Sequence, residues 1–205
     1  MSKNATPSTA FMWLDCDAYR GEAGAPRPDL SDMSEGATYD GFDAFGGMET
    51  GFNISSEGAA TPKQVMNYRQ APYKVSRAPR VDTITFRGVD TSKAYLDTIT
   101  NGGRILQYPD GTVEIEPGTT EEFSLLLIAR EGDDAGAYYS SRVTLSTPPT
   151  EGAVDGETLA GSEFSIIALE PLRKIYLERP AALADGDVVK VDATGKAIGS
   201  SVAGG

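Results

Sequence analysis

Residues 123–129 read Phe-Ser-Leu-Leu-Leu-Ile-Ala, and this short apolar run constrains the fold more than any other stretch of the chain. Strict alternation of apolar and polar residues marks a strand with one wet face. A strand-length run without alternation marks one buried on both. The run, within a strand spanning Thr119 to Arg130, predicts burial by the core on one side and by a neighbouring chain on the other.

The rest of the chain supplies partners for such a strand. Its 205 residues suffice for one well-buried core with extensions. With 23 Gly and 12 Pro, many turns are expected, which favours β structure over α. Residues 1–10 are small and polar and read as a flexible arm, and Phe11 to Tyr19 reads as a first strand. Arg20 to Gly47, rich in Gly, Pro, Asp and Ser, reads as a long loop, of a kind that is functional or ordered by a partner.

Strand-like patterns resume at 51–55, 63–70, 73–77 and 80–89. In the last, Asp82, Ile84 and Phe86 alternate with Val81, Thr83, Thr85 and Arg87, so Ile84 and Phe86 should enter the core. One helix is expected at 91–100, capped by Asp90, Thr91 or Ser92 and stopped by Asn101-Gly102-Gly103, with Tyr95, Leu96 and Ile99 on its packing face. A hairpin follows, with strands Arg104 to Tyr108 and Thr112 to Glu116 about a Pro109-Asp110-Gly111 turn. After a turn at 132–136, Ala137 to Thr147 and Glu163 to Leu172 are further strands.

These elements predict an antiparallel β-sandwich or partial barrel over residues 11–172, with long loops at 20–47 and 55–78 and one flanking helix. Residues 173–205 form a C-terminal extension too short for its own core, which should dock on the main domain or a neighbouring subunit. A hairpin is expected there, with a strand from Asp187 to Val191, a turn at Thr194-Gly195-Lys196 and a flexible end.

The available chemistry is narrow. No histidine is present, which removes Ser-His-Asp and Cys-His nucleophilic systems and histidine metal sites. Cys16 is the single cysteine, so disulfide and Cys-based zinc sites are excluded, and its expected role is a small, half-buried strand residue. Glycines 46, 47 and 51 lack the strand-turn-helix setting of a dinucleotide site.

Two carboxylate pairs, Asp15 with Asp17 and Glu114 with Glu116, have the i,i+2 spacing that shares a strand face. In an acidic chain such pairs are expected on any solvated face, so no enzyme activity and no cofactor are expected. Asp29, Asp32 and Glu35, and Glu131, Asp133 and Asp134, could offer oxygen ligands to calcium, but neither group has EF-hand spacing and acidic turn residues are common. No apolar run reaches membrane-spanning length, and the N-terminus has no signal-peptide core, so no membrane association is expected.

Charge is distributed unevenly. The net charge is -12, yet residues 1–60 hold 3 basic and 10 acidic groups, residues 61–104 hold 8 and 3, and residues 105–205 hold 7 and 17. Lys63, Arg69, Lys74, Arg77, Arg80 and Arg87 interleave with Tyr68 and Tyr73 in a manner that superficially suggests nucleic-acid binding. The acidic flanks offer another reading, in which the basic strands of one copy meet acidic surface on the next.

The order of elements resembles the major tail tube proteins of siphophages, the long non-contractile tailed bacteriophages. The resemblance lies in WLDCDAYRGEAGAPRP, then FGGMETGFNISSEG, then VDTITFRGVDTSKAYLDTIT leading strand into helix, and the later strands EEFSLLLIAREG, AYYSSRVTLST and EFSIIALEPL. The acidic loop at 29–43 and the segment after Leu172 depart from it.

The resemblance implies a structural subunit forming stacked, hexameric rings with a β-barrel lumen through which DNA passes transiently and without specificity. It also implies tape-measure, tail-tip and tail-terminator proteins as partners and the virion tail, assembled in host cytoplasm, as location. Thr83, Thr85 and Arg87 are then candidates for the lumen. Lys63, Tyr68, Arg69, Tyr73, Lys74 and Arg77 are candidates for contacts between subunits or rings. A solitary β-sandwich module, such as a capsid decoration or receptor-binding domain, is the alternative.

Overall fold

The apolar run lies in the middle of an antiparallel sheet in a computed structural model that describes residues 13–63, 74–153, 155, 157–177 and 189–191. In chain order the elements are β1 (Asp15–Glu22), β2 (Phe42–Ala44), β3 (Met48–Glu57), β4 (Ala60–Lys63), β5 (Lys74–Arg77), β6 (Val81–Gly88) and α1 (Lys93–Thr100). There follow β7 (Arg104–Gln107), β8 (Val113–Glu116), β9 (Glu122–Glu131), β10 (Asp134–Leu145), β11 (Thr150–Glu151), β12 (Ser162–Ala168) and β13 (Arg173–Tyr176).

Nine strands form one sheet in the order β2-β1-β9-β10-β12-β6-β3, with β13 beside β10 and β11 beside β12. The remaining strands make two separate hairpins, β4-β5 and β7-β8. The fold is mainly β, an antiparallel sandwich with one flanking helix and no closed barrel.

A bulge in β10 folds the sheet into two layers. Ser140 pairs with Leu125 of β9 but Val143 pairs with Phe123, so β10 carries one residue more than its partner over this interval. Such an insertion bends and twists a strand. Before the bulge β10 pairs with β9 and β13, and beyond it with β9 and β12.

Between the layers, Phe123, Leu125 and Leu127 of β9 and Ala18 of β1 meet Ile84 and Phe86 of β6 and Phe164 and Ile166 of β12. Ile84 and Phe86 are thus inside, as the alternation predicts. Phe45, in the stretch expected to be loop, is fully buried at the centre. Its ring stands edge-on to Phe86 at 5.0 Å and lies 5.7 Å from Phe164.

The other side of β9 corrects an expectation. Leu126 and Ile128 are covered by this chain itself, not by a neighbour: Leu30, Met33 and Tyr39 close over them together with Tyr19, Ala137 and Tyr139. The segment expected as the loop 20–47 is therefore a lid on a second core, entered by a β1 that runs on to Glu22 and left through β2. Burying each large apolar side chain contributes about 1.5–3 kcal/mol, so three such anchors stabilise the segment substantially.

Polar contacts fix the same lid. The Tyr19 hydroxyl donates to Ala37 O at 3.0 Å, the Tyr39 hydroxyl to Asp32 O at 2.9 Å, and the Tyr139 hydroxyl to Ala25 O. Tyr19 and Tyr39 also meet edge to face at 5.0 Å.

Further boundaries follow from local chemistry. The helix begins where the Ser92 hydroxyl accepts from the Tyr95 amide, and ends at Asn101 in the left-handed region. Its Tyr95 and Ile99 pack on the core, as expected, and Ala94 and Thr98 are buried with them. The expected hairpin is β7-β8, with Gly111 at a φ of 89° taking the turn position that favours glycine. The turn expected over 132–136 is tighter, because Asp134, Ala135 and Gly136 already pair with β9. The loop expected over 55–78 holds the end of β3 and the β4-β5 hairpin. Of the expected C-terminal strand at 187–191, residues 187 and 188, like the turn at 194–196, lie outside the described residues.

The lid carries a pH signature. Burial, Asp17 and Tyr39 push the Tyr19 phenol up to about 12, against the opposing influence of Arg130. A group whose pKa rises on folding stabilises the fold below its ordinary value of 10, and that contribution is lost as pH climbs from there to about 12. Alkali should therefore loosen residues 25–41 in this window, and Tyr19→Phe should flatten that dependence. Limited proteolysis at stepped pH checks the outcome.

Candidate functional site

Three surfaces carry the residues singled out by the sequence. The first is the outward face of β6, where Thr83, Thr85 and Arg87 are half-buried opposite Ile84 and Phe86. Register sets Thr85 between Asn53 of β3 and Ser165 of β12, and Thr83 between Ser55 and Ile167. The Ser146 hydroxyl meets that of Ser165 at 2.7 Å, extending the hydroxyl row.

Arg87 is the cation of this face, and its charge is matched locally. Its guanidinium lies 3.0 Å from the Glu49 carboxylate and donates to Leu159 O at 2.6 Å. Even a methyl group on Gly152 would come within 2.2 Å of the guanidinium, so the 152 backbone lies close against it. A surface of hydroxyls and amides with a neutralised arginine offers hydrogen bonds to a passing polyanion without a fixed cation to hold it.

The second surface is the β4-β5 hairpin. All eight strand residues are exposed, and β4 and β5 pair with each other and no other strand among the described residues. Lys63 stands directly across from Lys74, and Arg77 across from Ala60. Tyr68, Arg69 and Tyr73 lie outside the described residues. Like charges directly opposite on a hairpin are destabilising, and a two-stranded hairpin is marginal in water. The arm is built to be completed by something else.

The third surface was missed by sequence reasoning. A groove of about 1010 Å³ lies beside α1, between the ends of β1 and β9 and residues 40–43. Buried Arg20 forms its floor, held by Glu121 at 2.6 Å and the Thr98 hydroxyl at 3.0 Å, with its guanidinium 4.2 Å from the centre of the Phe123 ring. Lys93 meets Asp43 at the rim. The excess of acid in residues 1–60 was the available signal, but acids from the helix and β9 join it only in the folded chain.

The carboxylate pairs have structural partners. Asp15 and Asp17 share a strand face as expected, and Arg130 binds both, at 3.0 and 2.6 Å. The same guanidinium donates to Met33 O and Ser34 O of the lid. Burial works against the charged form of Arg130, but the two carboxylates outweigh it and raise its pKa. Glu116 pairs with Arg104, and Glu114 accepts from the Tyr108 hydroxyl at 2.7 Å.

Asp29 and Asp32 accept the Ser31 and Ser34 amides in tight turns, and the latter bond holds the Asp32 carboxyl below its usual range. Among the described residues no three or more His, Cys, Asp or Glu side chains are grouped to hold a metal ion. The Cys16 thiol is half-buried, and burial, then Asp15 and Asp17, push its pKa up, away from thiolate reactivity. No helix among the described residues is long and apolar enough to cross a membrane.

No protein-family model and no curated protein matches the chain. Among solved structures, a chain from the virion of a native gene transfer agent particle is similar at a TM-score of 0.39 and 12% identity, over 65% of this chain and 88% of that one. The functional reading below is built on the surfaces described above.

The role of Arg130 is testable. Arg130→Met removes the link from Asp15 and Asp17 to the lid carbonyls, and should lower stability by about 2–3 kcal/mol, as for a lost charge-assisted hydrogen-bond set. Asp17→Asn should cost less, because Asp15 remains. Denaturant titration of the three proteins checks the order.

Proposed function

We propose that this chain is the structural subunit of a phage-type tail tube, which polymerises as stacked, hexameric rings around the path of the genome and catalyses nothing. The observation that carries this reading is the β4-β5 arm, a charged hairpin with every strand residue exposed. A second feature supports it. β3, ten residues and about 33 Å long, is the terminal strand of the main sheet, with β6 on one side and no strand on the other among the described residues. Open edges of this length invite pairing with another chain, and ring closure removes them.

In this reading the hydroxyl face bearing Thr83, Thr85 and Arg87 lines the lumen, and the neutralised Arg87 lets DNA pass without retention. The arm, with Lys63, Lys74 and Arg77, contacts a neighbouring copy. Partners are further copies of the chain, with tape-measure, tail-tip and tail-terminator proteins at the core and ends of the tube. Its location is the virion tail, after assembly in host cytoplasm.

Electron microscopy over a concentration series, with and without tail-tip components, tests the proposal. Rings or hollow filaments of constant width are expected. Monomers at every concentration, even with tail-tip components, would replace it with the solitary binding module. The lumen assignment has its own test: replacing Thr83 and Thr85 with lysine should leave tubes intact but slow genome delivery, and unchanged infectivity would reject it.

A further inference from the structure

The basic arm and the acidic groove have matching charge and sit toward opposite ends of β6. Residues 58–80 hold five basic side chains and no acidic one. The groove is lined by six carboxylates, Glu22, Asp40, Asp43, Asp97, Glu121 and Glu122, against the two cations Arg20 and Lys93. Asp43 and Glu121 are engaged by those two cations, and Glu122 by Arg142. Glu22, Asp40 and Asp97 make no salt bridge among the described residues, and Glu22 and Asp40 are exposed.

A further feature of the groove points to a polar occupant. The Ser124 hydroxyl, fully buried, has no hydrogen-bond partner. It lies beside Gly21, in the groove wall, where an added Cβ would come within 2.6 Å of it. A buried hydroxyl without a partner is costly, and an incoming polar group or the water it brings would satisfy it.

Connectivity determines which molecule supplies the arm. The arm enters β6 at Val81, while the helix that walls the groove follows Gly88 at the other end of the strand. Eight strand residues, about 26 Å at 3.3 Å per residue, separate the two along the chain. Two different surfaces at two ends give a head-to-tail contact, the kind that generates closed rings or continuing stacks.

We infer that the β4-β5 arm of one copy docks in the groove of a second copy, with Lys63, Lys74 and Arg77 meeting Glu22, Asp40 and Asp97. The inference rests on the tube reading above and specifies which surface receives the arm.

A charge exchange tests it. One variant carries Lys63→Glu, Lys74→Glu and Arg77→Glu, and a second carries Glu22→Lys, Asp40→Lys and Asp97→Lys. Each alone places like charges in contact and should raise the concentration needed for assembly by about a hundredfold. Mixed together, each variant presents an arm that suits the other's groove, and assembly should recover to within about tenfold of the unmodified protein. Recovery also shows that both variants are folded.

Sedimentation and microscopy read the result. If the groove variant assembles like the unmodified protein, or the mixture fails to recover, the docking is overturned while the tube reading stands. If the unmodified protein never assembles, even with tail-tip components, the tube reading falls and the docking falls with it.

Discussion

Burial of β9 on both faces is the constraint from which the rest of the structure follows. Leu125, Leu126, Leu127 and Ile128 are fully inaccessible to solvent, so each side of the strand needs a cover. One cover is the β6-β12 layer, brought over by the bulge in β10. The other is the lid over residues 25–41, which has no regular structure before β2 and is held by three apolar anchors. Where the apolar run ends, Arg130 continues the same face and converts hydrophobic contact into ionic contact, binding β1 carboxylates and lid carbonyls together.

Covering β9 internally changes what the exterior is for. Had the second face of β9 been open, association would proceed through an apolar sheet surface, which is strong and poorly oriented. With that face closed, the features left for association are directional: the backbone edge of β3, the basic arm and the acidic groove. Backbone edges fix register, and charge arrangement fixes which surface meets which.

Much of this was legible in the sequence where periodicity or turn chemistry carried it. Ile84 and Phe86 alternate with polar residues, Ser92 and Asn101 bound the helix, and Pro109-Asp110-Gly111 turns the β7-β8 hairpin. Phe45 was illegible because one aromatic between Ala44 and two glycines has no period to read. Leu30, Met33 and Tyr39 have irregular spacing among Pro, Asp and Ser, so the two-sided burial of β9 could be read but the identity of its second cover could not. Arg20 and the groove were hidden for another reason, since Glu22, Asp97 and Glu121 are distant in sequence and meet only in the fold. The arm could be read as basic, but its isolation from the sheet could not, because alternation says nothing about whether a hairpin has a neighbour.

The charge pattern reconciles solubility with assembly. At a net charge of -12, copies of this chain repel one another at long range, which disfavours nonspecific association. At physiological ionic strength that repulsion is screened beyond about 8 Å. Opposite charges in direct contact are screened far less, so an arm carrying only basic groups and a groove rich in acid gain most when fully seated. Misaligned encounters, which place acidic flank against acidic flank, gain nothing and are rejected. Hydroxyls on the outward face of β6, with Arg87 neutralised by Glu49, lie outside this pairing and leave that face free of net positive charge. A single uneven distribution of charge therefore separates the surface that must bind from the surface that must not.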